Sequence, residues 1–218
     1  MDPIHIYFEN ESIIICEKPA GVSSEDGGLP DLLCKQKGID KVYTVHRLDK
    51  MVTGGIIYAK TKEAASIISS QIADGVFHKS YIAAAEGKLE NEEGTWEDLL
   101  FYDRKQGKSY VVQKERHGVK KAIMNYRYRG KFKTESGKTV SFIEVELVTG
   151  RTHQIRAQLA SRKHPVLGDR RYGSREDIEG IALRSYKMVF NDPDTGEEQR
   201  FVFPLPDKYP WNKLTDKK

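Results

Sequence analysis

The sequence of 218 residues has little of what marks membrane, secreted or multidomain proteins. It contains no run of 18 apolar residues, so we expect no membrane-spanning helix and no contact with a membrane. The first eleven residues hold no basic stretch followed by an apolar one, and a secretory signal is therefore not expected. No stretch is rich enough in proline, glycine and serine to act as a linker. We therefore expect one domain over residues 1–218.

Cysteine is also scarce, with Cys16 in an apolar run and Cys34 in a short predicted helix. Neither belongs to a C-x-x-C pair, so a disulfide has no particular support and a reducing cytoplasm is the expected compartment. A zinc site made by His46, His153 and Asp49 is an alternative. It is disfavoured because no closely spaced pair of histidines or cysteines prepares a tetrahedral site. We therefore expect no metal.

The pattern of apolar residues predicts an α+β fold with a mixed, mostly antiparallel sheet flanked by helices. The helix predicted over residues 62–73 has Thr61 as its N-cap and an apolar face at helical spacing. Two further helices are predicted over residues 31–37 and 152–162. Strands are predicted over residues 4–8, 12–17, 55–60, 79–86, 108–113, 120–129, 138–148, 185–190 and 198–203.

The net charge of +4 is modest, but the charges are unevenly distributed along the chain. Residues 86–98 carry a net charge of −5, whereas residues 103–121 carry +5 and residues 149–175 carry +6. A single basic run is usually a solvated surface. Two such runs with interleaved tyrosine and histidine favour a polyanionic partner, whose phosphates lysine and arginine would neutralise.

A candidate catalytic carboxylate, Asp49, lies between a basic loop and the apolar run 56–59. At the edge of a core both the pKa and the exposure of a carboxyl group can be controlled, although a lone loop aspartate is more often a turn former. From spacing alone, Arg156 could equally be a surface helix residue, and Tyr81 an ordinary strand aromatic. The residues alone thus indicate a basic, RNA- or DNA-facing enzyme or binding protein.

Five stretches, in sequence order, resemble the motifs of RluA-type pseudouridine synthases. The central one is His46-Arg47-Leu48-Asp49, followed by Thr53, Gly54 and Gly55. The chain is similar to the family from about residue 5 to about residue 206, and a chance match of five motifs is very improbable. The other four stretches are Glu17 to Gly21 (K-P-x-G), Lys79 to Ala83 (K-x-Y-x-A), Thr149 to Arg156 (T-G-R-T-H-Q-I-R) and His164 to Gly173.

The resemblance implies the pseudouridine synthase fold and isomerisation of specific uridines in ribosomal or transfer RNA, with no cofactor and no metal. Asp49 would be the essential carboxylate, acting either by attack on the sugar at C1′ or by removal of a sugar proton. Arg156 would pair with Asp49, and Tyr81 would stack on the target base. The target uridine would be flipped out of its stack to reach Asp49.

RNA contacts are also implied by the resemblance and the basic segments. Arg47 would fill the space that the flipped base vacates, and the other cations would hold phosphates. Many relatives carry a small RNA-binding module before the catalytic domain, and none is expected here. A monomer is the default expectation, and the rival functions are a catalytically inactive RNA-binding protein and a hydrolase. The predicted RNA-binding residues are Lys18, His46, Arg47, Lys79, Arg104, Lys105, Lys108, Arg151 and His153.

Overall fold

The computed structural model describes residues 3–214, within which there are eleven strands and three α-helices. The structure contains α-helices together with strands that pair mostly antiparallel and in part parallel, so the α+β prediction is confirmed. In chain order the elements are β1 (Ile6–Glu9), β2 (Ile13–Lys18), α1 (Leu29–Lys37), β3 (Tyr43–Thr44), β4 (Thr53–Ala59), α2 (Lys62–Ala73), β5 (His78–Glu86), β6 (Glu93–Asp103), β7 (Lys108–Val112), β8 (Val119–Lys133), β9 (Thr139–Leu147), α3 (Gln154–Ser161), β10 (Leu183–Asn191) and β11 (Glu198–Val202).

The described residues form two compact units. The first comprises the chain up to Lys79 together with Arg184–Pro204, and the second comprises Ser80–Leu183 together with the residues from Leu205 onward. The single catalytic domain over residues 1–218 stays a prediction. No helix within residues 3–214 is long and apolar enough to cross a membrane.

In the first unit, β2 pairs antiparallel with both β1 and β4, while β10 runs parallel to β4 and antiparallel to β11. The helix α2 begins at its predicted residue because the Thr61 hydroxyl accepts a hydrogen bond of 3.1 Å from the N–H of Ala64. The core of this unit consists of Ile13, Ile15, Ile57, Ile68, Phe77, Met188, Phe190 and Phe203, with Ala59 and Ala64.

In the second unit, five strands pair antiparallel in the order β5, β9, β8, β6, β7. A register shift between Tyr128 and Gly130 makes a bulge in β8, where it pairs with β9. The helix α3 packs on one face of this sheet through a cluster of Leu100, Ala122, Ala157 and Tyr172. This packing fixes the position of α3, which carries Arg156.

Candidate active site

The loop that carries Asp49 is fixed in the first unit by hydrogen bonds on both sides of that residue. Before it, the Ser24 hydroxyl donates to the carbonyl of Leu48 (2.9 Å) and accepts from the N–H of Leu48 (3.2 Å). After it, the carbonyl of Lys50 accepts from the N–H of Gly21 at 2.9 Å. The Asp49 carbonyl also accepts from the N–H of Val52 at 2.9 Å. The half-buried Asp49 side chain thus stands on a rigid backbone.

Lys18 is fully buried beside this loop, with 0% of its surface exposed. Its ammonium donates to the carbonyls of Pro19, Val22 and Lys50, each at 2.9 Å. Burial lowers the pKa of Lys18 to about 8, while the charges of Asp49 and Glu17 act in the opposite direction. These three hydrogen bonds give Lys18 a structural role, in which it ties the K-P-x-G-like element to the Asp49 loop. Its contact with an RNA phosphate stays a prediction.

His46 is also in the interior, with 7% of its surface exposed, and its contact with RNA stays a prediction. Its ring lies 5.6 Å from the ring of Phe77, and its Nε2 accepts from the N–H of Ile57 at 3.4 Å. Burial, and next the charge of Lys79, hold the pKa of His46 well below its usual value. His46 is therefore neutral near pH 7.

Arg47, by contrast, is exposed, and its guanidinium contacts Glu25 at 2.9 Å. An exposed ion pair of this kind contributes little stability, so Arg47 can leave it at low cost. Its predicted insertion into RNA stays a prediction, and its exposure is compatible with that role.

A hydrogen-bond network between half-buried Glu17 and Tyr7 and the buried Arg184 was not predicted from the sequence. Both carboxylate oxygens of Glu17 accept from the Arg184 guanidinium, at 2.6 and 2.8 Å. Glu17 also accepts from the N–H of Gly54 at 3.2 Å and from the hydroxyl of Tyr7 at 2.6 Å. A Cβ on Gly54 would lie 2.2 Å from the carbonyl oxygen of Ser185, so only glycine fits where β4 meets β10. Only the pairing of β4 with β10 reveals this network, and the sequence carries no signal for it.

Lys79 ends the first unit, and Tyr81 lies just inside the second. The Lys79 ammonium lies 5.6 Å from the centre of the Phe77 ring, and burial lowers the pKa of Lys79. Tyr81, on β5, is 5% exposed and pairs with Val145 of β9. The roles of Lys79 in RNA binding and of Tyr81 in stacking on the target base stay predictions.

Arg156 lies on α3 and is buried, with 5% of its surface exposed. Its Nε and Nη2 donate to the two carboxylate oxygens of Asp169, at 2.6 and 3.0 Å. Its guanidinium carbon also lies 5.0 Å from the centre of the Tyr172 ring. The predicted pairing of Arg156 with Asp49 stays a prediction. The partnership with Asp169 was missed, although Asp169 lies in a stretch that resembles the family.

His153 and Arg151 precede α3 on a short loop. His153 adopts a left-handed conformation with φ of 55°, and its Nδ1 lies 3.1 Å from the hydroxyl of Tyr172. Arg151 is exposed, and its Nε donates to the carbonyl of Lys121 at 2.9 Å. Arg151 is therefore accessible to a phosphate, whereas one nitrogen of His153 is already engaged. Their RNA contacts stay predictions.

The remaining predicted RNA-binding residues lie on the hairpin of β6 and β7. Arg104 and Lys105 are exposed in its turn, which the Asp103 carboxylate closes by accepting from the N–H of Lys105 at 2.9 Å. The ammonium of Lys108 lies 5.3 Å from the Tyr110 ring centre and 4.9 Å from that of Tyr172. The hairpin thus presents cations beside aromatic rings, while their contact with RNA stays a prediction.

The described part of the chain contains no cluster of side chains that could form a metal site. Within residues 3–214, no three or more His, Cys, Asp or Glu side chains are grouped so that they could hold an ion. Both Cys16, which is buried, and Cys34 are free thiols.

Two solved human structures share this fold. RNA pseudouridylate synthase domain containing 1 has a TM-score of 0.82 and 19% identity, over 99% of this chain and 91% of its own. RNA pseudouridylate synthase domain containing 4 has a TM-score of 0.74 and 19% identity, over 93% of this chain and 88% of its own. The fold is therefore that of pseudouridylate synthase domains.

The sequence comparisons then give the family. The model of the family described as RNA pseudouridylate synthase matches residues 12–161, a stretch that includes Lys18, Asp49, Tyr81 and Arg156. This chain belongs to the RNA pseudouridylate synthase family, and the resemblance found in its motifs is confirmed.

Curated relatives agree with this assignment. The Bacillus subtilis RNA pseudouridine synthase YhcT is 34% identical over 205 residues, which cover 89% of this chain and 66% of the relative. The ribosomal large subunit pseudouridine synthase D of Nitrosomonas europaea is 32% identical over 225 residues, covering 94% of this chain and 63% of the relative. The chain thus spans slightly less than two thirds of the length of these two relatives.

Proposed function

We propose that this protein isomerises specific uridines in RNA to pseudouridine. In this reaction the bond between N1 and C1′ breaks, a bond between C5 and C1′ forms, the hydrogen on C5 leaves and N1 gains a proton. The proposal is supported by family membership and by Asp49 within the motif that the family uses. The observation that carries it is the rigid placement of Asp49, whose loop is hydrogen-bonded on both sides.

In the proposed mechanism Asp49 is the catalytic carboxylate. It acts in its ionised form, either on C1′ or on a sugar proton. The charge of Asp49 in turn raises the pKa of the buried Lys18, in opposition to the larger effect of burial. Tyr81 stacks on the flipped base, and Arg156 keeps Asp49 ionised and directed. The bidentate contact with Asp169 would hold the guanidinium of Arg156 in a fixed orientation.

The proposed substrate is structured RNA. Ribosomal RNA is favoured because several relatives are named for the large ribosomal subunit, and transfer RNA is the alternative. Exposed Arg47, Arg104, Lys105 and Arg151 are proposed to contact its backbone. We further propose that the protein acts as a monomer in the cytoplasm, where its two thiols would stay reduced.

The test is tritium release from RNA labelled at uridine C5. We expect release by the purified protein in the presence of excess chelator, and loss of release in Asp49→Asn with nearly unchanged RNA binding. Asp40→Asn is the matched control, since Asp40 is an exposed carboxylate of the same unit. It should retain full release.

Other outcomes of this test would favour the rival functions. Release that survives Asp49→Asn would remove Asp49 from catalysis. Binding of cellular RNA without release would favour an inactive RNA-binding protein. Hydrolytic cleavage of the substrate that needs added zinc would favour a hydrolase.

A further inference from the structure

The second unit has a half-exposed sheet face that the mechanism above does not use. Directly paired residues lie on the same side of an antiparallel sheet. Phe101 of β6 pairs with Tyr110 of β7 and with Val119 of β8, and Leu99 pairs with Val112. All of these side chains are half-buried, as is Ile123, whose strand partner Glu97 lies two residues before Leu99. We call this surface the outer face: Leu99, Phe101, Tyr110, Val112, Val119 and Ile123.

The opposite face of the same strands carries the core and α3. Leu100 and Ala122 alternate with the outer-face residues and pack against Ala157 of α3. The Ser109 hydroxyl, also on that side, donates to the carbonyl of Thr152 at 2.5 Å. Arg156 lies on the same helix as Ala157, so the outer face is turned away from the side of the sheet that carries Arg156. It is therefore a surface distinct from the one that holds this predicted catalytic residue.

Two aromatic rings on the outer face are each accompanied by a cation. The guanidinium carbon of the exposed Arg116 lies 4.5 Å from the centre of the Phe101 ring, and the Lys108 ammonium lies 5.3 Å from that of Tyr110. Rings of this kind stack on nucleic-acid bases, while neighbouring cations bind the phosphates between them. The outer face lies in the segment 103–121 and its partner strands, and that segment carries a net charge of +5. The charge favours a polyanionic partner over a basic one.

We propose that the outer face is a stacking platform for single-stranded RNA, on which Phe101 and Tyr110 each hold one base. This inference rests on the proposed function, since it assigns part of the RNA substrate to a second surface. Stacking on an aromatic ring depends little on base identity, because every base has a π face. The platform would therefore hold RNA that flanks the target and would leave the choice of uridine to the catalytic residues.

The test measures binding of the full chain to a short single-stranded oligoadenosine, which lacks the base that the catalytic residues would convert. We expect Phe101→Ser and Tyr110→Ser each to weaken binding by about tenfold. Phe101→Tyr and Tyr110→Phe retain a ring and should bind like the unaltered protein. Tyr43→Ser is the matched control, because Tyr43 is a half-buried strand tyrosine with Lys41 at 5.0 Å from its ring centre, but lies in the first unit.

A second measurement uses the unaltered protein and so does not depend on the folding of a variant. Ultraviolet crosslinks to oligouridine, mapped by mass spectrometry, should fall on Phe101 and Tyr110. The proposal is overturned if the serine variants bind oligoadenosine normally, or if crosslinks avoid both residues. It is equally overturned if the serine variants change only self-association in sedimentation, which would make the outer face a contact between copies. Tritium release by the unaltered protein would remain intact in each case, so these failures are separate from failure of the proposed function.

Discussion

Lys18 shows how one side chain can determine the geometry of a neighbouring loop. An ammonium removed from water is unfavourable unless its donors are satisfied, and here three carbonyls satisfy them. One of those carbonyls belongs to Lys50, the residue after Asp49. The position of the candidate catalytic carboxylate therefore depends on a fully buried residue.

We expect Lys18→Met to lower the free energy of unfolding by about 2 to 4 kcal/mol, because three carbonyls lose the hydrogen bonds that the buried ammonium donates. We also expect kcat for tritium release to fall by about tenfold to a hundredfold, since the Asp49 loop loses a support. Urea unfolding and single-turnover kinetics measure the two effects. Lys62→Met is the control, because Lys62 is exposed at the start of α2. Equal behaviour of the two variants would refute the structural role of Lys18.

His46 leads to a prediction about pH. Because burial lowers the pKa of His46 in the folded protein, the unfolded chain binds its proton first as the pH falls. The stability contributed by the neutral ring is thus complete above about pH 6.5, which is the pKa of histidine in the unfolded chain. Below that pH it declines by about 1.4 kcal/mol per pH unit until the folded pKa is reached.

The measurement for His46 is urea unfolding between pH 5 and 7. In His46→Gln, the amide oxygen can still accept from the N–H of Ile57 but does not titrate. The difference in stability between the unaltered protein and this variant should therefore shrink or reverse toward acid pH. A difference that is constant with pH would show that His46 titrates normally when folded.

The family and the motif that contains Asp49 were predictable from the sequence, but the surroundings of the candidate site residues were not. The motif around Asp49 identifies the family because it has a fixed order of residue types. Lys18 and His46 lie within such motifs, yet their long or ring side chains turn inward toward carbonyls and apolar rings. Whether a basic residue of a motif faces solvent or the interior depends on strand pairing that a sequence does not display.

At the scale of elements, the contact between α3 and the short 3-10 helix Arg170–Tyr172 holds Arg156 in place. Asp169 immediately precedes that 3-10 helix and is 1% exposed. Tyr172, at the end of the same helix, packs its ring against the guanidinium of Arg156, and its hydroxyl accepts a hydrogen bond from the N–H of Ser109. A change at Asp169 should therefore act on Arg156 and on the packing of α3 together.

We expect Asp169→Asn to lower the free energy of unfolding by about 3 to 5 kcal/mol, because it removes one charge of the buried ion pair between Arg156 and Asp169. Asp177→Asn is the matched control. Asp177 pairs with Arg170 at 2.9 Å, but both side chains are largely exposed, and an effect within about 1 kcal/mol is expected. Thermal unfolding of both variants measures the difference. A comparable small effect in both would show that the Arg156 pair is weak despite its burial.

Elements with strong local signals were predicted well. The observed bounds of α2 are those predicted, because an N-cap and a continuous apolar stripe define this helix. The helix α1 begins two residues earlier than predicted, at Leu29, because Pro30 is favourable in a first helical turn. The strand β6 was missed because its first half lies in the acidic segment 86–98, which resembles a charged surface loop. The tertiary pairing of β6 with β7 and β8 overrides that composition.

At the scale of the whole molecule, the uneven charge leads to a prediction about salt. The logarithm of the binding constant for single-stranded RNA should fall linearly with the logarithm of the salt concentration. The slope should be about −0.7 for each phosphate that is neutralised. Removing Arg104 and Lys105 together by serine substitution should therefore make the slope shallower by about 1.4. The measurement is oligonucleotide binding across a series of potassium chloride concentrations.

The control for this prediction removes the same charge elsewhere. Lys35 and Lys62 are exposed at the end of α1 and the start of α2, outside the basic segments. Replacing both by serine should leave the slope nearly unchanged. If both double variants shift the slope equally, the net charge matters and the basic segment has no particular role.

The discontinuous first unit has a consequence for biosynthesis. Its strands β10 and β11 leave the ribosome only after all of Ser80–Leu183 has been translated. At roughly 5 to 20 residues per second, this is a delay on the order of ten seconds. During that interval the nascent β4, with its apolar residues Ile56–Ala59, lacks the neighbour that it meets at Thr53 and Gly54. Chaperones that bind exposed apolar strands would encounter the chain in this window, before Arg184 of β10 can pair with Glu17.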